Sequence, residues 1–192
     1  MCQIVVLYYS RHGSTLALAR QIARGVESVA ECEALLRTVE EITPSQPAVD
    51  PVLSLDELKA CDGLAMGSPT WFGNMAAPLK HFWDQTTPLW VSGALIDKPA
   101  AVFTSGSSMH GGQESTLHSM MLPLMHHGMV ILGLPYSHPE LHTTAKGGSP
   151  YGASRVKRNQ TEGLAESESE LARQLGKRIA TIAKTLKGGL VQ

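Results

Sequence analysis

The stretch that decides the fold is IVVLYYSRHGST, residues 4–15. Its first six residues are apolar or aromatic with no polar alternation, so a strand here must be covered on both faces, as in the middle of a parallel sheet. The run stops abruptly at SRHGST (10–15), and Leu16, Ala19, Ile22, Ala23 and Val26 then recur at helical spacing. Strand, short glycine-containing loop and helix make the first half of a βαβ unit.

The same alternation continues outward. EALLRTV (33–39) reads as a weaker second strand, GLAMGSP (63–69) as a third, AAVFTS (100–105) as a fourth and MVILGL (129–134) as a fifth. A loop with Pro44, Pro47 and Pro51 precedes a short helix over 55–60, opened by the capping-box pattern Ser54-Leu-Asp-Glu57. Further helices are expected at Ala77–Trp83 and at 113–126. A last one has Leu171, Leu175, Ile179, Ile182 and Leu186 on one face, with a second capping box at Ser167–Glu170 and a frayed tail KGGLVQ. Between 135 and 163 the pattern dissolves into Pro, Gly, Ser and Tyr without a period. So long an aperiodic segment in a compact domain is usually functional or mobile rather than a neutral spacer. The expectation is an α/β chain: one doubly wound, five-stranded parallel sheet in a single domain over 1–192, with 135–163 as an irregular insertion.

Composition removes several function classes. The chain has 192 residues, enough for a core without staples. Its net charge of −1 provides no field that favours nucleic acid or an anionic membrane. No apolar run is long enough to span a bilayer, and no signal-like segment opens the chain. Cys2, Cys32 and Cys61 are too few and too scattered for a disulfide framework and form no CxxC pair, so reduced thiols in a cytoplasmic protein are expected. The eight histidines include no HExxH and no Cys/His cluster, so no metal is expected.

In a doubly wound sheet, ligands bind beyond the carboxyl ends of the strands. The loops after strands one, three and four are therefore read together. SRHGST has no Walker lysine and no GxGxxG. Ser10, Gly13, Ser14 and Thr15 at a helix N-terminus suit one phosphate dianion, or else an ordinary helix cap. SPTWFGNMAAPLK (68–80) places Trp71 and Phe72 beside that loop, either for a flat ring ligand or as core aromatics. TSGSSMHGGQE (104–114) lets the backbone approach a ligand, or is flexible surface. Trp90 lies in TPLWVSG, a segment that Pro88 and Gly93 are expected to keep irregular, as a ligand-facing or core-capping residue. The pair His126-His127 falls at a helix C-terminus, which favours a cationic imidazole, with a satisfied structural histidine as the default for either.

Taken in order, VLYYSRHGST, GSPTWFGNM, PAAVFTSGSSMHGGQE, HHGMVILGLPYS and GGSPYGAS resemble the tryptophan-repressor-binding protein A (WrbA) family, over nearly all of residues 3–187. The resemblance implies a flavodoxin-like fold with strand order 2-1-3-4-5 and FMN-dependent reduction of quinones by NADH or NADPH in a ping-pong reaction. It implies that Ser10, Arg11, His12, Gly13, Ser14 and Thr15 cradle the FMN phosphate. Pro69, Thr70, Trp71, Phe72 and Gly73 would hold one side of the isoalloxazine ring, and Ser105, Gly106, Ser107, Ser108 and Gly111 the other. His127 would contact the flavin and steady charge on it or on the quinol oxygen. Trp90, with His12, would meet the substrates. The resemblance also implies a homo-tetramer, with a dimer as the alternative, whose subunits complete one another's sites. The 135–163 stretch is a candidate for those contacts. Nothing in the sequence supports the repressor binding in the family's name. Three departures stand out: Trp71 replaces the arginine of PTRFGN, SGSS replaces an STGT-type loop, and His12 replaces a common aromatic. The rival readings are a one-electron carrier flavodoxin, which the near-neutral charge disfavours, and a flavin-binding regulatory protein.

Overall fold

A computed structural model describes residues 1–42, 49–159 and 163–189. Strands β1 (Cys2–Tyr8), β2 (Cys32–Arg37), β3 (Gly63–Pro69), β4 (Pro99–Gly106) and β5 (Val130–Ile131) lie in the order β2-β1-β3-β4-β5, all parallel. The crossovers are α1 (Ser14–Glu27), α2 (Leu55–Ala60), α3 (Ala77–Asp84) with α4 (Thr87–Val91), and α5 (Gln113–His126). They are followed by α6 (Glu140–Thr143), β6 (Ala153–Val156) and α7 (Glu166–Gly189).

Both faces of the sheet are covered, as the unbroken run at 4–9 requires. Val5 and Leu7 of β1 join Leu64 and Met66 of β3 and Val102 of β4 under the layer formed by α2, α3 and α5. Ile4, Val6 and Tyr8 join Ala65, Ala101 and Phe103 under α1 and α7. Gly67 makes room in the second layer. A Cβ there would stand 2.1 Å from the Phe103 ring.

Several expectations shift. Among the described residues the sheet has six strands rather than five, because the fifth position is split. Only Val130 and Ile131 pair with the start of β4, at Pro99 and Ala100, while β6 pairs with its end, at Phe103–Gly106. The stretch read as aperiodic therefore holds α6 and a strand. β6 was hidden because ASRV is short and alternates around a buried Ser154 and Arg155. Trp90 sits on α4 rather than on an irregular segment. The box at Ser54–Glu57 forms in full. The one at Ser167–Glu170 does not, since α7 starts at Glu166 and the Glu168 carboxylate reaches back to the Ala165 N–H at 3.0 Å. Pro51 lies in a loop and its carbonyl accepts from Thr38 N, while Pro44 and Pro47 fall outside the described residues.

α1 and α7 cross in direct backbone contact. A Cβ on Gly25 would lie 2.0 Å from the Arg173 carbonyl oxygen, and one on Gly176 2.0 Å from that of Ile22. The buried face of α7 is accordingly Leu171, Ala172, Leu175, Gly176, Ile179, Ala180 and Ala183. Of the expected face, Ile182 is half-buried and Leu186 is exposed.

This crossing fixes a sign. Gly→Ala inside an exposed helix gains about 1 kcal/mol in propensity. At Gly176 the new methyl meets backbone, and overpacking of that kind costs about 1–3 kcal/mol. Gly176→Ala is expected to lower the denaturant midpoint. Gly188→Ala, which has open space around it on the same helix, is expected to leave it unchanged or raise it. A Gly176→Ala protein as stable as the wild type would show that the helices can separate freely.

Candidate functional site

β1, β3 and β4 end level with one another: Tyr8 pairs with Gly67, Ser68 with Thr104 and Pro69 with Ser105. The three loops read as a set therefore emerge side by side. Buried hydroxyls tie them together. Thr15 Oγ1 and Ser105 Oγ are 2.9 Å apart, joining the first turn of α1 to the end of β4. Thr104 Oγ1 donates to the Ser68 carbonyl at 2.8 Å, and Ser68 Oγ accepts from Ala76 N at 2.8 Å. Thr104 has then spent its proton, so Thr70 donates in the 3.1 Å contact between their hydroxyls. Ser68 and Thr104 were not among the expected site residues, although a hydroxyl inside an apolar strand was visible in both cases.

Around the first loop, Gly13 is the N-cap of α1 at φ 74, without a side-chain cap and with no acidic residue in the first turn. The free N–H groups of a helix start attract an anion. Ser10 Oγ accepts from Leu16 N at 3.2 Å. Ser14 Oγ is buried and has no hydrogen-bond partner among the described residues. A cavity of about 60 Å³ opens here, lined by Ser10, Arg11, Ser14, Thr15, Trp71 and Ser105, among others. His12 also lines it, and Arg11, His12 and Gly13 are exposed. An unpartnered buried hydroxyl beside an uncapped helix start, in a space for one small anion, fits the phosphate of FMN.

The second and third loops form a wall and a lid edge. Trp71 is half-buried and packs on the edge of the core, its ring edge-on to Tyr9 at 5.6 Å. Tyr9 donates its hydroxyl to Glu41 at 3.1 Å, and burial together with that carboxylate pushes its pKa up to about 12. Phe72 points fully into solvent at φ 52, a backbone state that bulky residues rarely adopt. Pro69, Thr70 and Gly73 are half-buried. Ser105 is buried and Gly106 half-buried, while Ser107, Ser108 and Gly111 are exposed. Gln113 Nε2 folds the third loop by donating to the Ser108 carbonyl at 2.6 Å. A Cβ on Gly112 would be 3.1 Å from Gly73 Cα, so the two loops touch. On the outer side of the third loop, a cavity of about 460 Å³ is walled by Lys146–Ser149 from the split-strand excursion. Buried Glu168 pins that wall, accepting from Gly147 N and Val156 N at 3.0 and 2.8 Å.

Trp90 and His127 do not join this group. α5 runs from the end of β4 back to the start of β5, and the Gly128 carbonyl accepts from Asp97 N, just ahead of β4. Both residues thus lie at the amino edge of the sheet, the length of β4 away, which is roughly 23 Å for eight residues. There they line a cavity of about 380 Å³ with Trp83, Thr86 and the ion-paired Lys80 and Asp84. Trp90 is 54% exposed, so it does not cap a core. His127 is buried, and burial with a contribution from His126 holds its pKa below the usual 6.5. Desolvation outweighs the helix terminus, so the imidazole is neutral rather than cationic. Thr86 and Trp83 were missed because the residues they meet are about forty positions away, with no local pattern. No group of three or more metal-ligating side chains occurs among the described residues.

Comparison with known proteins adds the following. Residues 3–139 match the family model described as NADPH-dependent FMN reductase. An NAD(P)H dehydrogenase (quinone) from Syntrophobacter fumaroxidans is 43% identical, covering 96% of this chain and 98% of that one. Its counterpart from Geobacter metallireducens is 42% identical, with coverages of 97% and 100%. Among solved structures, the flavodoxin, WrbA-like protein from Agrobacterium tumefaciens superposes with a TM-score of 0.73 at 25% identity, over 96% of this chain and 99% of that one. A flavodoxin from the domain Archaea, with a TM-score of 0.66 at 22% identity and coverages of 95% and 99%, shares the fold.

The depressed His127 pKa has a consequence for stability. The unfolded chain takes up this proton near pH 6.5 and the folded chain only below that, so the contribution is present above pH 6.5 and is lost as pH falls through the folded value. The melting temperature of the wild type is expected to drop more between pH 7.5 and 5.5 than that of His127→Gln. His126, Lys80 and Asp84 are the charged neighbours that both proteins share. Equal drops would place the acid sensitivity elsewhere.

Proposed function

The chain belongs to the NADPH-dependent FMN reductase family, and on that premise we propose that it is an FMN-dependent NAD(P)H:quinone oxidoreductase. The observation that carries this reading is the orphaned Ser14 hydroxyl beside the uncapped start of α1, in a cavity for a single phosphate with Trp71 on its wall. A second phosphate loop of the dinucleotide kind is absent from the sequence, which favours FMN over FAD. When bound, FMN supplies the redox chemistry, receiving a hydride equivalent from NAD(P)H and returning two electrons to the quinone.

The protein's own residues bind and orient. Ser10–Thr15 hold the phosphate through the helix-start N–H groups and the Ser14 hydroxyl. Pro69–Gly73 and Ser105, Gly106, Ser107, Ser108 and Gly111 flank the ring, with Trp71 braced by Tyr9. Trp71 brings no positive charge where the family pattern has an arginine, so among the residues lining the cradle a cation would come from Arg11 rather than from position 71.

Trp90 and His127 act from a neighbouring subunit. They sit at the wrong edge of the sheet to reach their own cradle, on a cavity whose end of the molecule also exposes Val91, Ile96, Leu122, Met125 and Val130. An apolar, aromatic-bearing face of this kind fits a second copy of the chain. We therefore infer a homo-oligomer, a tetramer by the family pattern, in which the amino edge of one subunit faces the loops of another. Of the 135–163 stretch, Thr144 and Lys146–Ser149, which wall one side of the loop cluster, belong to the same contact on this reading. No described helix is long and apolar enough to cross a membrane. Three unbridged cysteines, two of them opposite each other on β1 and β2, support a reducing cytoplasm.

Mixing an inactive protein with an impaired one tests the arrangement. Gly13→Glu places an acid in the phosphate cradle and is expected to abolish FMN binding. Trp90→Ala is expected to bind FMN normally but to lose about tenfold to a hundredfold in kcat/KM for NAD(P)H and quinone alike, from one aromatic stack and its buried area. Co-refolded, the two should regain NADH–benzoquinone turnover, since some sites combine an intact cradle with an intact Trp90. No recovery, or a fully active monomer on sedimentation, counts against the shared site. An FMN-loaded protein that oxidises no NAD(P)H would be a carrier or a regulator.

A further inference from the structure

Thr86 and His127 lie 41 residues apart in sequence and are buried side by side at the amino edge. A threonine hydroxyl has one proton to give. Thr86 Oγ1 donates it to the Trp83 carbonyl oxygen at 2.7 Å. The 2.8 Å contact between Thr86 Oγ1 and His127 Nε2 then runs the other way, with the ring nitrogen donating and the hydroxyl accepting. Reversing it would leave the hydroxyl and carbonyl oxygens 2.7 Å apart with no proton between them. The proton of the neutral ring is therefore on Nε2, and Nδ1 carries a lone pair.

That lone pair is buried and has no partner among the described residues. The indole N–H of Trp83, which can only donate, is in the same state, and the two rings meet at 5.4 Å on the wall of the 380 Å³ cavity. Buried polar groups are costly to leave unpaired. Lys80 and Asp84 at this cavity satisfy each other. The two vacant valences thus remain for something that enters from outside the subunit.

We propose that Thr86 is a positioning residue that holds His127 as the Nε2–H tautomer, so that in the assembled site Nδ1 accepts a hydrogen bond from an N–H or O–H group of the bound ligand. The proposal rests on the reading that His127 faces a neighbouring subunit's site. It narrows what His127 does there. The ring receives a hydrogen bond, and it does not offer a stored proton from Nδ1 to a quinone oxygen. The flavin imide N–H, the nicotinamide carboxamide and a hydroquinone hydroxyl all carry the required donor.

Nitrogen-15 NMR of the histidine rings tests this directly. In the wild type at pH 7.5, His127 is expected to show a protonated Nε2 and an unprotonated Nδ1. Thr86→Ser should preserve that pattern. Thr86→Val, which removes the acceptor and keeps the shape, should lose it. The Nδ1 resonance should move on addition of FMN to the apoprotein, which identifies the flavin as the donor. If it moves only when benzohydroquinone or reduced nicotinamide follows, the donor is the substrate. In kinetics, Thr86→Val should lose about tenfold in quinone kcat/KM, with Thr86→Ser restoring it; FMN affinity should fall with it where the flavin is the donor and stay unchanged where the substrate is. A protonated Nδ1 in the wild type overturns the tautomer lock whatever the variants do. A resonance indifferent to every ligand overturns the acceptor role. Normal quinone kinetics in a Thr86→Val protein whose tautomer has changed would instead remove His127 from the site, and with it the reading on which the proposal rests.

Discussion

The hydrogen bond between Thr15 and Ser105 holds the ligand end of this molecule together. Thr15 is in the first turn of α1 and Ser105 near the end of β4, with β3 between their strands, and both hydroxyls are buried. The contact decides where the anion-binding helix start stands relative to the third loop. The hydroxyls of Ser68, Thr70 and Thr104 extend it, so strand ends that share only parallel ladders are also tied by side chains. Inside an apolar sheet such groups are tolerable only because each one is paired. The Ser14 hydroxyl, one residue from the network, is the exception, and it faces the cradle.

The rest of the molecule divides the work between two ends. At the carboxyl edge, backbone N–H groups and short polar side chains suit a phosphate and a flat ring. At the amino edge, Trp83, Thr86, Trp90 and His127 suit a partner that carries aromatic surface and hydrogen-bonding protons. Neither end is a complete redox site. β4 separates them by its own length, which is why a second copy of the chain is proposed to bring them together.

The sequence made the strand–loop–helix units legible because burial on both faces forces unbroken apolar runs, as at 4–9 and 63–69, and because glycine and proline mark where they end. It also marked the three loops, since doubly wound sheets bind at one edge. What it hid depends on long-range pairing. β6 is four residues with Ser154 and Arg155 inside it, and only its partner β4 makes it a strand. The α7 cap came from Glu168 rather than from Ser167, because the carboxylate of Glu168 was recruited by Gly147 and Val156 as well as by Ala165. The state of His127 followed from burial and from Thr86, neither of which leaves a trace near position 127.

The split fifth strand also orders events during folding. The carboxyl half of β4 gains its outer neighbour only from residues 153–156, and α1 gains its cover only from α7, which begins at residue 166. Contacts between positions about fifty residues apart, as in β4 and β6, or well over a hundred apart, as in α1 and α7, close late, because the entropy of joining distant segments must be met first. A nascent chain that has made β1 through β5 therefore has the loops of the cradle but not the packing that fixes them. Flavin capture becomes a mark of the finished chain, and a polypeptide stalled short of its last helix is left without the means to start redox chemistry.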